Sequence, residues 1–193
     1  MAMFAERCEV RPDAGVRLVP LAEKHLAATL AWVNDPAMMR LLGRSAHVEP
    51  DEHMRWFEQL RERNDRRYFS VEAVESGHHV GNIWLWDNNT PDRKAEVRVL
   101  FGDETSRGRG YGSEAIDQLA GIAFRTMGLH RLYAYVFTFN PQAKRAFEKA
   151  GFRQEGMLRQ DRRIADDYID VCVFGRVDSD ASGAAEHQPL QGR

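Results

Sequence analysis

The chain has 193 residues, 43% of them hydrophobic and 29% charged, which is enough for one domain with a buried core. Its formal net charge is −2 with the seven histidines neutral, so no bulk field draws in nucleic acid or an anionic membrane surface. No apolar run reaches membrane-spanning length, and the first residues lack the apolar core of a signal peptide. Cys8 and Cys172 show neither metal nor redox spacing, so a tail thiol and a core thiol in a reducing cytoplasm are expected.

Residues 1–15 carry no hydrophobic period and end in the turn signal Pro12-Asp13-Ala14-Gly15; they read as an N-terminal extension. Val16–Val19 reads as a short strand and Leu21–Val33 as a helix ended by Asn34-Asp35-Pro36. A second helix over Ala37–Leu42 stops at Gly43. Pro50-Asp51-Glu52 opens a third, with Met54, Trp56, Phe57 and Leu60 apolar and its end at Arg61–Asn64. Tyr68–Val74 and Val80–Trp86 read as a hairpin turning at Ser76-Gly77, with His78-His79 in the turn and facing solvent. After a polar loop, Asp87–Asp92, comes a third strand, Lys94–Phe101.

That strand runs into Arg107-Gly108-Arg109-Gly110-Tyr111-Gly112-Ser113, and Ala115, Ile116, Leu119, Ile122, Ala123 and Met127 then recur at helical spacing. A helix start leaves backbone N–H groups without internal partners, and its dipole adds partial positive charge there. Alternate glycines let the main chain approach a ligand, while Arg107 and Arg109 add full charges. The stretch suits a phosphate or diphosphate. A P-loop is excluded because no Lys follows the glycines. A dinucleotide loop is excluded because the spacing is wrong and Gly102–Ser106 intervenes after the strand.

Leu132–Phe139 is a strand rich in aromatic and β-branched residues. Asn140-Pro141 then supplies an N-cap and a first helical residue, and Gly151 ends that helix. Phe152-Arg153 and Asp167–Val177 read as two more strands, and 178–193 as a disordered tail. Helices interspersed in a mostly antiparallel sheet give one mixed α/β unit over 16–177.

Arg107-x-x-Gly110-x-Gly112 resembles the acetyl-CoA loop of the GNAT N-acetyltransferases. Asn140-x-x-Ala143, Phe147-Glu148-Lys149, Gly151-Phe152 and Glu155-Gly156 resemble the second half of the same fold, at family spacing. Leu158-Arg159, Asp167–Asp170, Trp32–Pro36 and His53-x-x-Trp56-Phe57 resemble its ribosomal-protein N-acetyltransferase-like branch, which includes some amino-sugar N-acetyltransferases. The resemblance implies a mixed, mostly antiparallel twisted sheet of about six or seven strands with a V-shaped splay and helices on both faces. It implies acetyl-CoA as cosubstrate, with no metal.

In that fold, N–H groups from Arg109 to Ser113 would hold the diphosphate, and the main chain of Val99, Leu100 and Phe101 would pair with the pantetheine. The N–H near Leu100 would stabilise the developing oxyanion, while Asn140 and Lys144 would approach the cofactor arm. Glu96 is the expected base for the attacking amine; a strand carboxylate paired with Arg93 or Arg98 is the alternative. Family members often carry a tyrosine where this chain has Phe147, so Tyr135, Tyr168 or water is left to protonate the thiolate. Trp84, Trp86 and Asp87 are the expected acceptor pocket, with Trp32 and Trp56 assigned mainly to packing. The acceptor amine stays open between a protein N-terminus, an amino sugar, a polyamine and an aminoglycoside. A homodimer and an acetyl-CoA sensor without turnover also stay open.

Overall fold

A computed structural model describes residues 13–60, 62, 66–87 and 91–182. Cys8, most of the expected helix end at 61–64, Asn88-Asn89 and the tail beyond 182 lie outside them. Seven strands form one sheet: β1 (Val16–Pro20), β2 (Arg66–Ala73), β3 (His79–Trp86), β4 (Lys94–Leu100), β5 (Arg131–Phe137), β6 (Arg153–Ile164) and β7 (Asp167–Val177). Their spatial order is β1-β2-β3-β4-β5-β7-β6. Neighbours pair antiparallel except β4 and β5, which run parallel. Among the described residues five α-helices join them: α1 (Leu26–Val33), α2 (Pro36–Leu41), α3 (Pro50–Leu60), α4 (Tyr111–Arg125) and α5 (Pro141–Lys149).

Strand alternation sorts the side chains between two layers. Ile83 and Leu85 of β3, Ala95 and Val97 of β4, and Leu132, Ala134 and Val136 of β5 enter one core with Ile116, Leu119, Ala120 and Ala123 of α4. That α4 face recurs at the helical spacing visible in the sequence, and burying each of its Ile or Leu side chains contributes about 1.5–3 kcal/mol. Phe147 of α5 joins the same core against Phe152 and Phe174. The opposite face of the sheet carries polar and aromatic groups: Tyr68, Asn82, Trp84, Glu96, Arg98 and Tyr135. The α1–α3 segment packs there, tied by the Asn82 amide, which donates to Thr29 Oγ1 at 2.9 Å.

On that polar side β2 buries Glu72, which is 2% exposed. Arg17 Nη2 and Lys24 Nζ donate to its two oxygens at 2.8 and 2.7 Å. His25 Nδ1 accepts from the Ala22 N–H at 3.0 Å, so Nε2 carries the proton and donates to Glu72 at 3.2 Å. Burial alone would raise the Glu72 pKa; the bonds from Lys24, His25 and Arg17 outweigh it and hold the carboxyl at about 2.

The feature that positions the site is a break in the sheet. β4 and β5 pair only through Lys94↔Arg131, Ala95↔Leu132 and Glu96↔Tyr133. Past Glu96 the edge of β4 facing β5 has no ladder partner among the described residues, and the two strands diverge as the resemblance implies.

Three expectations change. β6 is 12 residues long rather than the pair Phe152-Arg153. It forms the outer edge with nearly every residue exposed, so no burial period marks it in the sequence. Its register on β7 also shifts twice, between Gln154 and Gly156 and between Leu158 and Arg162. The start of the expected tail, Asp178–Ser182, is a 3-10 turn whose Asp180 accepts from the Val177 N–H at 3.0 Å. His79 begins β3 and is half-buried, packed against His25 and Trp32 and hydrogen-bonded to Asn82; only His78 faces solvent.

Candidate active site

The glycine loop folds as its spacing implies. Gly108 and Gly110 both take positive φ, +79° and +82°, and Gly110 caps α4 in the left-handed region. Its carbonyl accepts from Ser113 Oγ at 2.8 Å and from the Glu114 N–H at 3.1 Å. The N–H groups of Tyr111, Gly112 and Ser113 make no backbone or side-chain bond among the described residues and mark an anion-binding helix mouth. Arg109 N–H does not join them, because it donates to Ser106 O at 3.4 Å. Glu114, the acid in the first turn, is turned away toward β1, accepting from the Gly15 and Val16 N–H groups.

A groove of about 370 Å³ begins at this helix mouth, lined by Arg107, Gly110, Gly112 and Ser113. It continues to Val99 and Leu100 of β4, to Phe101 just beyond it, to the α5 cap Asn140, and to Arg145 and Lys149 of α5. Arg107 reaches Glu104 at 3.1 Å on the exposed rim. Asn140 is a helix cap, its Oδ1 accepting from the Ala143 N–H at 3.0 Å, and it faces the groove as well.

Two expected cofactor residues do not reach this groove. Arg109 turns to the Tyr111 hydroxyl at 3.4 Å on the exposed side of the loop. Lys144 lies about 200° round α5 from Gln142, at about 100° per residue, and so faces away. Gln142, Arg145 and Lys149 share the stripe that does face the groove. Their three- and four-residue spacing is legible in the sequence once the direction of α5 is known.

Beside the groove, on the polar side of the sheet, lies a cavity of about 500 Å³. Its walls include Thr29 and Val33 of α1, His53 and Trp56 of α3, Tyr68, Trp84, Glu96, Arg98 and Tyr135. They also include Val97 and Phe147 from the other layer, which one cavity can touch only because β4 and β5 part there. Leu41, Leu42, Val99, Leu100, Asn140 and Ala143 line both spaces, so groove and cavity meet at the splay.

Glu96 lies on the cavity side of that junction, the last β4 residue paired to β5 and only 8% exposed. Arg98 Nε and Nη2 clamp its two oxygens, each at 2.8 Å. Trp84 stacks on Tyr68 with centroids 5.0 Å apart, and Trp56 meets the Tyr68 edge at 5.4 Å. The buried Trp84 Nε1 has no hydrogen-bond partner among the described residues. His53, which was not among the expected site residues, is buried and stacked on Trp56, with Nε2 unpartnered among the described residues. Burial lowers its pKa, the Leu26 backbone opposes that, and Arg44 lowers it further, so the ring is neutral near pH 7.

Three expected site residues stand elsewhere. Trp86 props the clamp instead of lining the cavity: its ring lies between the guanidiniums of Arg66 and Arg98, at 3.2 and 4.4 Å. Asp87 is the turn residue beyond β3, at φ +57°. Tyr168, 63% exposed, pairs with Arg163 near the β6–β7 turn and does not line the cavity. Trp32 packs under Gly102, where any β-carbon would strike its ring. Trp56, assigned mainly to packing, proves to be a cavity wall. Phe147 lines the cavity without a hydroxyl, and Tyr135 is the expected tyrosine that reaches it. Among the described residues, no group of three His, Cys, Asp or Glu could hold a metal ion, and no helix is long and apolar enough to cross a membrane.

Comparison with known proteins gives a consistent answer. Residues 16–153 match the acetyltransferase (GNAT) domain family. A spermidine N(1)-acetyltransferase of Vibrio cholerae is 31% identical over 108 residues, 56% of this chain and 61% of that protein. An uncharacterized N-acetyltransferase of Bacillus subtilis, YoaA, is 33% identical over 48% of this chain and 51% of its own length. The chain thus spans between half and three fifths of these curated relatives. The crystal structure of spermidine N-acetyltransferase from Vibrio cholerae in complex with CoA and spermine superposes with a TM-score of 0.80. That match has 24% identity and covers 86% of this chain and 97% of that one, which establishes a shared fold.

Proposed function

The chain belongs to the GNAT acetyltransferase family, and from that membership we propose that it transfers the acetyl group of acetyl-CoA to a small-molecule primary amine in a ternary complex. The observation that carries this reading is the junction of groove and cavity at the β4–β5 splay. The groove offers what a CoA arm requires: unpaired amides at Tyr111–Ser113, cations from Arg107, Arg145 and Lys149, and an open strand edge at Val99–Leu100. Its Vibrio cholerae structural neighbour was solved with CoA, which supports the same occupant.

Aminolysis of the thioester forms a C–N bond, breaks the C–S bond and releases one proton from the amine and a thiolate. Glu96 takes the amine proton through water. Arg98 holds its carboxylate, and each oxygen keeps a further lone pair for that water. The Leu100 main chain, beside the junction, serves the carbonyl oxygen as negative charge builds there. Tyr135 or water returns a proton to the thiolate; Phe147 cannot. A cavity roofed by α1–α3 and walled by aromatic rings suits a small amine better than a protein N-terminus. The relatives single out no branch of the family, so spermidine enters the test because a Vibrio cholerae relative acetylates it.

The test is release of free CoA from acetyl-CoA with a panel of spermidine, amino sugars, aminoglycosides and N-terminal peptides. Acetylation of one class supports the reading. Tight acetyl-CoA binding with no turnover on any amine favours a sensor, a second reading motivated by the missing hydroxyl at Phe147.

A further inference from the structure

We propose, building on the acetyl-transfer reading above, that the acceptor is an amine on an anionic molecule whose phosphate or carboxylate is held by Arg44 and Arg162. Five charged side chains line the acceptor cavity: Arg44, Glu52, Glu96, Arg98 and Arg162. Glu96 and Arg98 neutralise each other through two 2.8 Å bonds. That leaves two arginines against Glu52. Arg44 is exposed, with no ion pair among the described residues, and Arg162 meets only Asp161, at 3.5 Å.

These two cations come from different elements yet stand at one mouth. Arg44 follows Gly43 in the turn after α2, and a β-carbon on Gly43 would come within 4.0 Å of Ile164 Cδ1. Ile164 lies two residues from Arg162 on β6, so the two side chains leave the strand on the same side. The α2 turn and this face of β6 are therefore neighbours. A guanidinium offers a paired donor fork matched to phosphate or carboxylate.

The remaining wall adds neutral groups only. Trp84 Nε1 is a buried donor without a partner among the described residues, and the aromatic faces of Trp56, Tyr68 and Trp84 suit a ring or its C–H surface. A polyamine carries several positive charges and would find one carboxylate without an ion pair among the described residues, Glu52, against Arg44 and an Arg162 that Asp161 only partly offsets at 3.5 Å. The cavity thus selects against a polycation even though the fold matches a spermidine enzyme.

The test uses matched acceptors in steady-state kinetics: glucosamine against glucosamine 6-phosphate, cadaverine against lysine, and spermidine alone. At least one anionic member is expected to exceed its uncharged-group partner in kcat/KM by about tenfold or more, and the pair that responds identifies phosphate or carboxylate. Arg44→Ala and Arg162→Ala are each expected to raise KM for that anionic acceptor about tenfold relative to its partner, with the acetyl-CoA KM unmoved. Arg44→Glu is expected to shift preference toward spermidine. Spermidine outperforming both anionic acceptors, or arginine variants that leave the ratios unchanged, overturns the inference while acetyl transfer stands. If no amine is turned over, the acetyl-transfer reading fails separately, and calorimetry with glucosamine 6-phosphate still reads the anion contact. Binding weakened about tenfold in Arg44→Ala supports it, and equal or absent binding overturns it.

Discussion

Gly110 offers a way to separate backbone strain from charge at the helix mouth. It caps α4 at φ +82°, and a β-carbon there meets nothing within 4 Å, so a substitution encounters conformational strain and no steric wall. Holding a residue other than glycine in the left-handed region costs about 1–2 kcal/mol, the same for Gly110→Ala as for Gly110→Glu. Only the glutamate adds charge beside the bound diphosphate. Two like charges 4 Å apart repel by about 4 kcal/mol at an effective dielectric of about 20, and solvent at this exposed loop reduces that to about 2 kcal/mol. The expected result by titration calorimetry with CoA is a Kd about thirtyfold weaker for Gly110→Glu than for Gly110→Ala. Thermal unfolding should show the two variants equally destabilised. Equal CoA affinity in two folded variants would mean that no phosphate lies against this loop.

Glu96→Gln should lower kcat well beyond any change in the acetyl-CoA KM and flatten the acid limb of the pH–rate profile. Wild-type kinetics would remove Glu96 from the proton step and turn attention to the unpartnered His53 Nε2. Tyr168→Phe should leave kcat and KM unchanged, since that ring is exposed near the β6–β7 turn, and a kcat loss of about tenfold or more would contradict the placement. Glu72→Gln tests the buried cluster of β2. Because the folded carboxyl sits at about 2, below its usual 4.5, its contribution is present above about pH 4.5 and is lost as pH falls toward 2. The difference corresponds to about 3 kcal/mol, read by urea unfolding at neutral pH. The variant should lose the wild-type slope between those pH values, and an identical slope would refute the ion-paired state.

Local chemistry made much of this legible in the sequence. Alternate glycines, an apolar strand before them and a period of three and four after them specify β4, the loop and α4, because each signal depends on near neighbours. Asn140-Pro141 specifies the start of α5 for the same reason. What stayed hidden depends on distant partners. β6 is held by β7 and buries almost nothing, so its polar run carries no strand signature. His79 looks like a turn residue until α1 and the residue before it bring Trp32 and His25 against it. Lys144 and Arg145 are adjacent in sequence and similar in chemistry, and only the rotation of α5 decides which faces the groove. The branching of roles along β3, Trp84 in the cavity wall and Trp86 under Arg98, depends on where the cavity ends, which the α1–α3 roof sets.

The most direct measurement is a crystal structure of the protein grown with CoA. The account predicts the diphosphate against the Tyr111, Gly112 and Ser113 amides, with the pantetheine along the free edge of β4 at Val99–Leu100 and its thiol at the junction with the Glu96 cavity. CoA bound anywhere else, or β4 and β5 closed into a continuous ladder past Glu96 with CoA present, would contradict it.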